Sequence, residues 1–410
     1  MNRFKSPLAV IAALISALAL LGGCNLLLSR DYMVITPHLE NRPGEVVGDE
    51  LRAETFQELK DNILHLIEEG IEVGTIRLYN YTGEIDSDIE AAITQTMKYE
   101  PLGVYAVEYV SYKSVRILSY HEITLTITYR KTAEEIAAIK KVSSVSDFKN
   151  LLTDAYSGYE DSLTVEVPWY YVDQYNVEDI LQSYYDDNPL TVAAAPNFTM
   201  KLYPDMEAEG ATGWQRILEV SFTYPESRAR LREMSRELLR QISRMLSDLE
   251  LPDDISRFKV FEDLLRENSE VISGYDFDPD GKDAYGVEYT AYGAIINKSA
   301  TSEGYALAFK ALCDFLDIDC HVVRGRLDGL EHCWNIVKTE DGWYHVDVAM
   351  DITDSGYQYL LCTDGQMAEK GYRWNPSDYP RSAAEIINVS SMTEELIHTE
   401  PIEETEYESE

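Results

Sequence analysis

The sequence predicts an α+β protein in which two small, repeated α/β modules precede a larger C-terminal domain. Three observations carry this. Segments with helical apolar spacing alternate with short β-type runs, and one such series recurs in order 88 residues further along. Beyond residue 300 the pattern changes to one long apolar helix followed by a β-hairpin. Apolar residues make up 45% of the 410, the proportion of a globular protein, so the core can carry the stability.

The first element is a leader. Arg3 and Lys5 give a positive start, Leu8–Leu21 is apolar, and L-G-G-C follows at 21–24. Charge, length and small residues before the cysteine read as a secretory signal over residues 1–23, too short to span a membrane comfortably. The L-G-G-C resembles the lipobox of bacterial lipoproteins. The resemblance implies lipidation of Cys24 and a mature chain outside the cytoplasm, anchored to a bacterial membrane at the cell envelope. Several acyl chains on one cysteine give stable anchoring. Residues 24–50, with Pro37, Pro43 and Gly44, read as a tether.

The two modules come next, at 51–145 and 146–227. The helical run at 88–102, D-I-E-A-A-I-T-Q-T-M-K-Y-E-P-L, matches N-V-E-D-I-L-Q-S-Y-Y-D-D-N-P-L at 176–190 without a gap. Before each lies a β-type run, Thr75–Tyr79 and Leu163–Val167. After each lies a longer run ending in T-Y, Ile123–Tyr129 and Leu218–Tyr224. Helical stretches at Phe56–Glu69 and Phe148–Tyr156 open the two units. Tyrosine is abundant, 29 residues. Pairs such as Tyr170–Tyr171 and Tyr184–Tyr185 fit either sugar-stacking platforms or amphipathic packing.

The C-terminal domain, 228–390, starts with two helices, Ser227–Leu249 and Ile255–Glu267. The loop D-F-D-P-D-G-K-D at 276–283 resembles the start of an EF-hand. Position 12 of that motif should be a bidentate glutamate and is Val287 here, so calcium is not expected. Ser302 then precedes Ala306, Phe309, Leu312 and Phe315 at helical spacing, with Glu303 next to it. It reads as the start of a helix. A side chain there meets the positive end of the helix dipole and free backbone N–H groups. Serine is also a common N-cap, and both readings stay open. His332 and Asp347 fall on β-type runs, Glu331–Lys338 and Trp343–Val348, around the turn signal T-E-D-G. An even-length loop puts His332 and Asp347 on one face, within reach of each other.

Taken in order, A-T-S-E-G-Y-A (300–306), E-H-C-W-N (331–335) and G-W-Y-H-V-D (342–347) resemble the bacterial branch of the transglutaminase-like superfamily. The likeness runs over roughly 255–385 and takes in D-F-L-D-I-D-C-H-V-V-R-G (314–325), Y-Q-Y-L-L-C-T-D (357–364) and Y-R-W-N-P-S-D-Y-P (372–380). The resemblance implies a papain-like domain with cysteine as nucleophile, histidine as base and aspartate as orienter. Ser302 stands at the cysteine position, with His332 and Asp347 at the other two.

A cysteine reacts as the thiolate, which a helix start and a histidine favour. A serine hydroxyl must instead lose its proton during attack. No other cysteine replaces it. Cys313 lies about 16 Å along the helix. Cys333 points to the opposite face of the strand from His332. Cys320 and Cys362 sit in apolar runs. No C-x-x-C pair suggests zinc, and no cofactor is expected.

The net charge of −38 excludes nucleic-acid binding through a basic surface. Residues 391–410 hold eight glutamates and no lysine or arginine, and are expected to be a disordered acidic tail. The expected function is a non-catalytic envelope protein whose cleft holds a peptide or glycan. The alternative is a serine amidase, esterase or peptidase built on Ser302, His332 and Asp347.

Overall fold

The computed structural model describes residues 50–206, 214–247, 249, 253–272 and 286–387. The leader with Cys24, the tether up to residue 49, the loop at 276–283 and the acidic tail lie outside the described residues. Two compact units are present. Of the described residues, one comprises 50–65, Val73–Ala92 and Ser111–Thr126, and the other comprises Leu66–Glu72, Ile93–Val110 and those from Ile127 onward.

The chain begins β1 (Leu51–Ala53), α1 (Phe56–Glu68), β2 (Val73–Tyr79), α2 (Ile85–Tyr99), α3 (Pro101–Ala106), β3 (Val107–Ile117) and β4 (Tyr120–Tyr129). The strands form one sheet in the order β1-β2-β4-β3. β1 runs parallel to β2 and β2 antiparallel to β4. Ile76 and Leu78 on β2 and Ile123 and Leu125 on β4 are buried, the period of two expected of a half-covered sheet. Glu50, read as the end of the tether, is part of this structure: it accepts hydrogen bonds from Arg52 Nη2 at 2.7 Å and Tyr79 OH at 3.1 Å.

Next come α4 (Ala133–Ala137), β5 (Lys140–Lys141), α5 (Val145–Ser157), β6 (Ser162–Val167), α6 (Val177–Asp187), β7 (Asn197–Tyr203) and β8 (Arg216–Thr223). Their sheet has the order β5-β6-β8-β7, with β5 parallel to β6 and β8 antiparallel to both β6 and β7. The expected boundary at 145/146 needs correction. Lys140 pairs with Val165, so this sheet begins before residue 146. Its first strand is two exposed lysines, which carry no apolar signal.

Two amphipathic helices follow, α7 (Arg228–Leu246) and α8 (Asp254–Arg266). Leu231, Met234, Leu238 and Ile242 form the buried stripe of α7, and Phe258, Phe261 and Leu265 that of α8. β9 (Glu270–Val271) pairs with β10 (Ser299–Ala300) just before α9 (Ser302–Phe315). The remaining elements are β11 (Cys320–Leu327), β12 (Leu330–Thr339), β13 (Gly342–Val346), α10 (Val348–Asp354), β14 (Leu360–Cys362), α11 (Asp364–Glu369) and β15 (Tyr372–Arg373). They build an antiparallel sheet in the order β14-β13-β12-β11-β15.

Helix α9 is buried along Gly304–Cys313. One continuous apolar core joins it to α7, α8 and the helices over β6 and β8. Gly304 is required at its start. A Cβ there would lie 2.6 Å from the Glu288 carbonyl oxygen and 2.8 Å from the Ala300 Cβ. Asn335 of β12 donates to the Ala306 carbonyl at 2.9 Å and fixes the helix to the sheet.

Three local expectations change. Thr301, not Ser302, caps α9, with its hydroxyl accepting the Gly304 N–H at 3.4 Å. Ser302 is the first helical residue. In the hairpin, Lys338 pairs with Trp343, but Thr339 also pairs with Gly342, so the loop is two residues rather than four. The strand expected at Trp343–Val348 ends at Val346. Asp347 caps α10 instead, its Oδ1 accepting the Met350 N–H at 3.1 Å. A short acidic side chain bonding its own backbone turns a strand into a helix start.

Candidate functional site

A cleft of about 760 Å³ opens beside the start of α9. Ser302 and His332 both line it, with Glu303, Arg324, Cys333 and Met350 among their neighbours. Asp347 stands behind His332 and is only 1% exposed. The structure thus brings together the three candidate residues at 302, 332 and 347. The fourth, Cys24, lies outside the described residues.

His332 Nε2 and Asp347 Oδ2 are 2.5 Å apart. A carboxylate accepts, so the imidazole proton sits on Nε2. Tyr372 OH donates to the same Oδ2 at 2.6 Å. The His332 ring stacks on Trp334 at 6.2 Å and meets Tyr372 edge-on at 5.8 Å. These contacts hold the ring in one plane. Burial alone would lower the pKa of His332, but the Asp347 charge and hydrogen bond outweigh it and leave it raised. Burial, reinforced by the Asp347 charge, pushes the Tyr372 hydroxyl far up, so it stays a donor.

Behind Trp334 lies a second, buried histidine. Trp334 Nε1 donates to His345 Nδ1 at 3.0 Å, and His345 Nε2 pairs with Asp364 Oδ1 at 2.9 Å. Burial lowers the pKa of His345 against the opposing effect of Asp364. The indole donor requires an unprotonated Nδ1, so this histidine is a neutral strut under the Trp334 ring.

Ser302 Oγ accepts the Cys333 backbone N–H at 3.3 Å, the hydrogen bond that holds it among the described residues. Cys333 itself borders the cleft. Burial, with the Glu303 charge adding and Arg324 opposing, pushes its thiol far up, away from the thiolate form. Arg324 donates from Nε and Nη2 to Asp186 at 2.8 and 2.7 Å and from Nη2 to Glu303 at 2.7 Å. A further acidic pair, Glu262 of α8 and Asp351 of α10, is fully buried one turn from Asp347.

Tyr372, Trp334, Arg324 and the Glu262–Asp351 pair were not singled out as site residues in the sequence. Tyr372 lies in the Y-R-W-N-P run of the family resemblance, which was the available signal. Arg324 and Asp186 lie 138 residues apart, and no local pattern joins them.

With this geometry in place the chain can be compared with others. Residues 253–348 match the transglutaminase-like superfamily, and the C-terminal region of this protein is a transglutaminase-like domain. In it the start of α9, with Ser302, packs on the antiparallel sheet that carries His332. No curated protein matches the chain. Among solved structures, a TGase is similar at 11% identity over 66% of this chain and 74% of its own, with a TM-score of 0.27. A candidate cysteine protease from Cytophaga hutchinsonii is similar at 13% identity over 44% of this chain and 70% of its own, with a TM-score of 0.24.

Proposed function

We propose that this protein is an exported lipoprotein, held at a bacterial membrane through Cys24, whose transglutaminase-like domain binds a peptide or glycan of the cell envelope without transforming it. The observation that carries this reading is the pairing of an open cleft with a serine at the helix start that borders it. Ser302 occupies the nucleophile position, and its oxygen accepts a backbone hydrogen bond from Cys333. The cleft volume is that of a small-ligand site. The common strand order of the two N-terminal sheets supports reading them as a repeated recognition or spacing unit. Screening immobilised envelope peptides and glycan fragments against the full chain tests the reading. Binding that is lost when Met350 and Leu330 at the cleft are enlarged to Trp is expected. Turnover of any bound fragment by the wild type, abolished in Ser302→Ala, would overturn it. The membrane part is decided by mass spectrometry of the mature N-terminus, where a diacylated or triacylated Cys24 is expected and an unmodified one is disqualifying.

One observation favours a second reading, a serine amidase, esterase or peptidase. The His332–Asp347–Tyr372 chain is intact, and such a pair can take a serine proton. Labelling of Ser302 by a fluorophosphonate probe, lost in His332→Ala, would select this reading.

A further inference from the structure

Arg324 borders the cleft with its charge already committed. Its Nε and Nη2 groups form a bidentate pair with Asp186, Nη2 also reaches Glu303, and Nη1 faces the Cys333 sulfur at 3.6 Å. The fork that would grip an incoming carboxylate or phosphate is therefore occupied from within. The cluster sets two carboxylates against one guanidinium, with burial raising the Glu303 pKa and Arg324 opposing that rise. It sits directly beside Ser302, since Glu303 is the next residue and Cys333 donates its N–H to the Ser302 oxygen.

Asp186 comes from the last turn of α6, in the second N-terminal sheet. An aspartate at the negative end of a helix dipole is unfavourable for that helix. Its position is explained by the cation it meets. The helix is held there by more than this pair: Tyr185, next in the chain, is buried, and its hydroxyl donates to the Tyr289 carbonyl at 3.3 Å. Tyr289 also lines the cleft. Of the charged residues on the cleft wall, Glu303, Asp328 and Glu331 outnumber Arg324 and Arg326.

We propose that Asp186 is a specificity-determining residue of the cleft: by neutralising Arg324 from the neighbouring module, it makes the cleft turn away anionic ligands and admit neutral or cationic ones. The proposal rests on the reading that the cleft takes up a ligand. It also assigns the second module a part in that cleft. Removing the Asp186 charge leaves Arg324 paired with Glu303 alone and weakens that preference.

The test uses two alkylating reagents that differ in charge, iodoacetate and iodoacetamide, on full-length Ser302→Cys. The rate at residue 302 is read by peptide mass spectrometry. The ratio of the two rates reports the local potential, whereas general loosening of the structure moves both rates together. The expected ratio of iodoacetate to iodoacetamide is below that of free cysteine. Adding Asp186→Asn, which keeps an oxygen for Arg324 to bond, raises the ratio about fivefold, the order expected for one partly screened unit charge. Adding Arg324→Gln lowers it. An unchanged ratio in Asp186→Asn overturns the proposal, as does a parallel change in both rates. A residue 302 that neither reagent reaches overturns it too, because such a cleft admits nothing. Failure of the fragment screen would leave these rates untouched, so the two readings fail separately.

Discussion

Asp347 serves three partners with its two oxygens: Oδ2 lies 2.5 Å from His332 Nε2 and accepts from Tyr372 OH at 2.6 Å, and Oδ1 accepts the Met350 N–H at 3.1 Å. One buried carboxylate therefore sets the orientation of the cleft histidine and starts α10. Any shift in that helix start is transmitted to the His332 ring.

Replacing Asp347 with Asn separates the two roles. The amide still caps α10 and still meets Tyr372, but the charge is gone. His332 is then governed by burial, and its pKa is expected to fall below the ordinary 6.5, measured by NMR titration of its ring protons. The sign of the stability effect follows. A raised histidine pKa adds stability that is complete below about pH 6.5 and is lost as pH rises through the folded value. Wild type should exceed the variant by more at acidic than at alkaline pH. An advantage that does not change with pH would count against the ion pair.

Glu262 and Asp351 give the larger pH dependence. Both are fully buried. Burial first, and the Asp351 charge second, push Glu262 up to about 10, while burial lifts Asp351 to about 7. Arg266 Nη1, 3.5 Å from Glu262 Oε1, opposes this shift without overcoming it. Between about pH 4.5 and 10 the folded chain holds a proton that the unfolded chain releases. Stability should therefore fall as pH rises through this window, by up to about 1.4 kcal/mol per unit. Glu262→Gln keeps a neutral donor, and its denaturation midpoint should depend less on pH than that of the wild type. An equally steep decline in the variant would show that Glu262 is ionised in the fold.

Gly304→Ala tests how closely the start of α9 is seated. The new Cβ would meet the Glu288 carbonyl oxygen at 2.6 Å, which is backbone and cannot swing aside. A loss of about 1–3 kcal/mol is expected. Because Ser302 is two residues away, the Cys333–Ser302 hydrogen bond should loosen as well, seen as faster amide exchange at Cys333. A variant as stable as wild type would mean that the helix start can slide.

The long helices were legible because burial imposes a period on them. Leu231, Met234, Leu238 and Ile242 recur at three and four residues, and α7 lies where that stripe does. Strand parity was legible for the same reason. Lys338 faces Trp343, and His332 and Asp347 share a side. Signals failed where the backbone is directed by one polar side chain. Thr301 rather than Ser302 caps α9, and Asp347 ends a strand that its neighbours Val346 and Val348 would have continued. The strands Val107–Ile117 and Asn197–Tyr203 were missed because much of their length is solvated and alternates weakly. The Arg324 cluster joins three distant segments, so its members show only as ordinary charges until the fold is known.

The state of the nucleophile position is best tested with a thiol. Ser302 is the first residue of α9, where the helix dipole favours an anion, and it lines the same cleft as His332. Both should lower the pKa of a cysteine placed there, through the dipole and through an imidazolium whose own pKa is raised by Asp347. Glu303, next in the chain, acts in the opposite direction, and Arg324 offsets only part of it because it also pairs with Asp186. The net expectation for Ser302→Cys is a thiol titrating below the free value of about 8.5, read from the pH dependence of iodoacetamide alkylation. Adding His332→Ala should move it back toward that value. A thiol that titrates near 8.5 in both variants would show that the position no longer supports an anion. The serine would then be a packing residue, and the His332–Asp347 pair would be structural. A depressed, His332-dependent value would show that the electrostatics survive and that the exchange of sulfur for oxygen alone separates this cleft from a thiol enzyme.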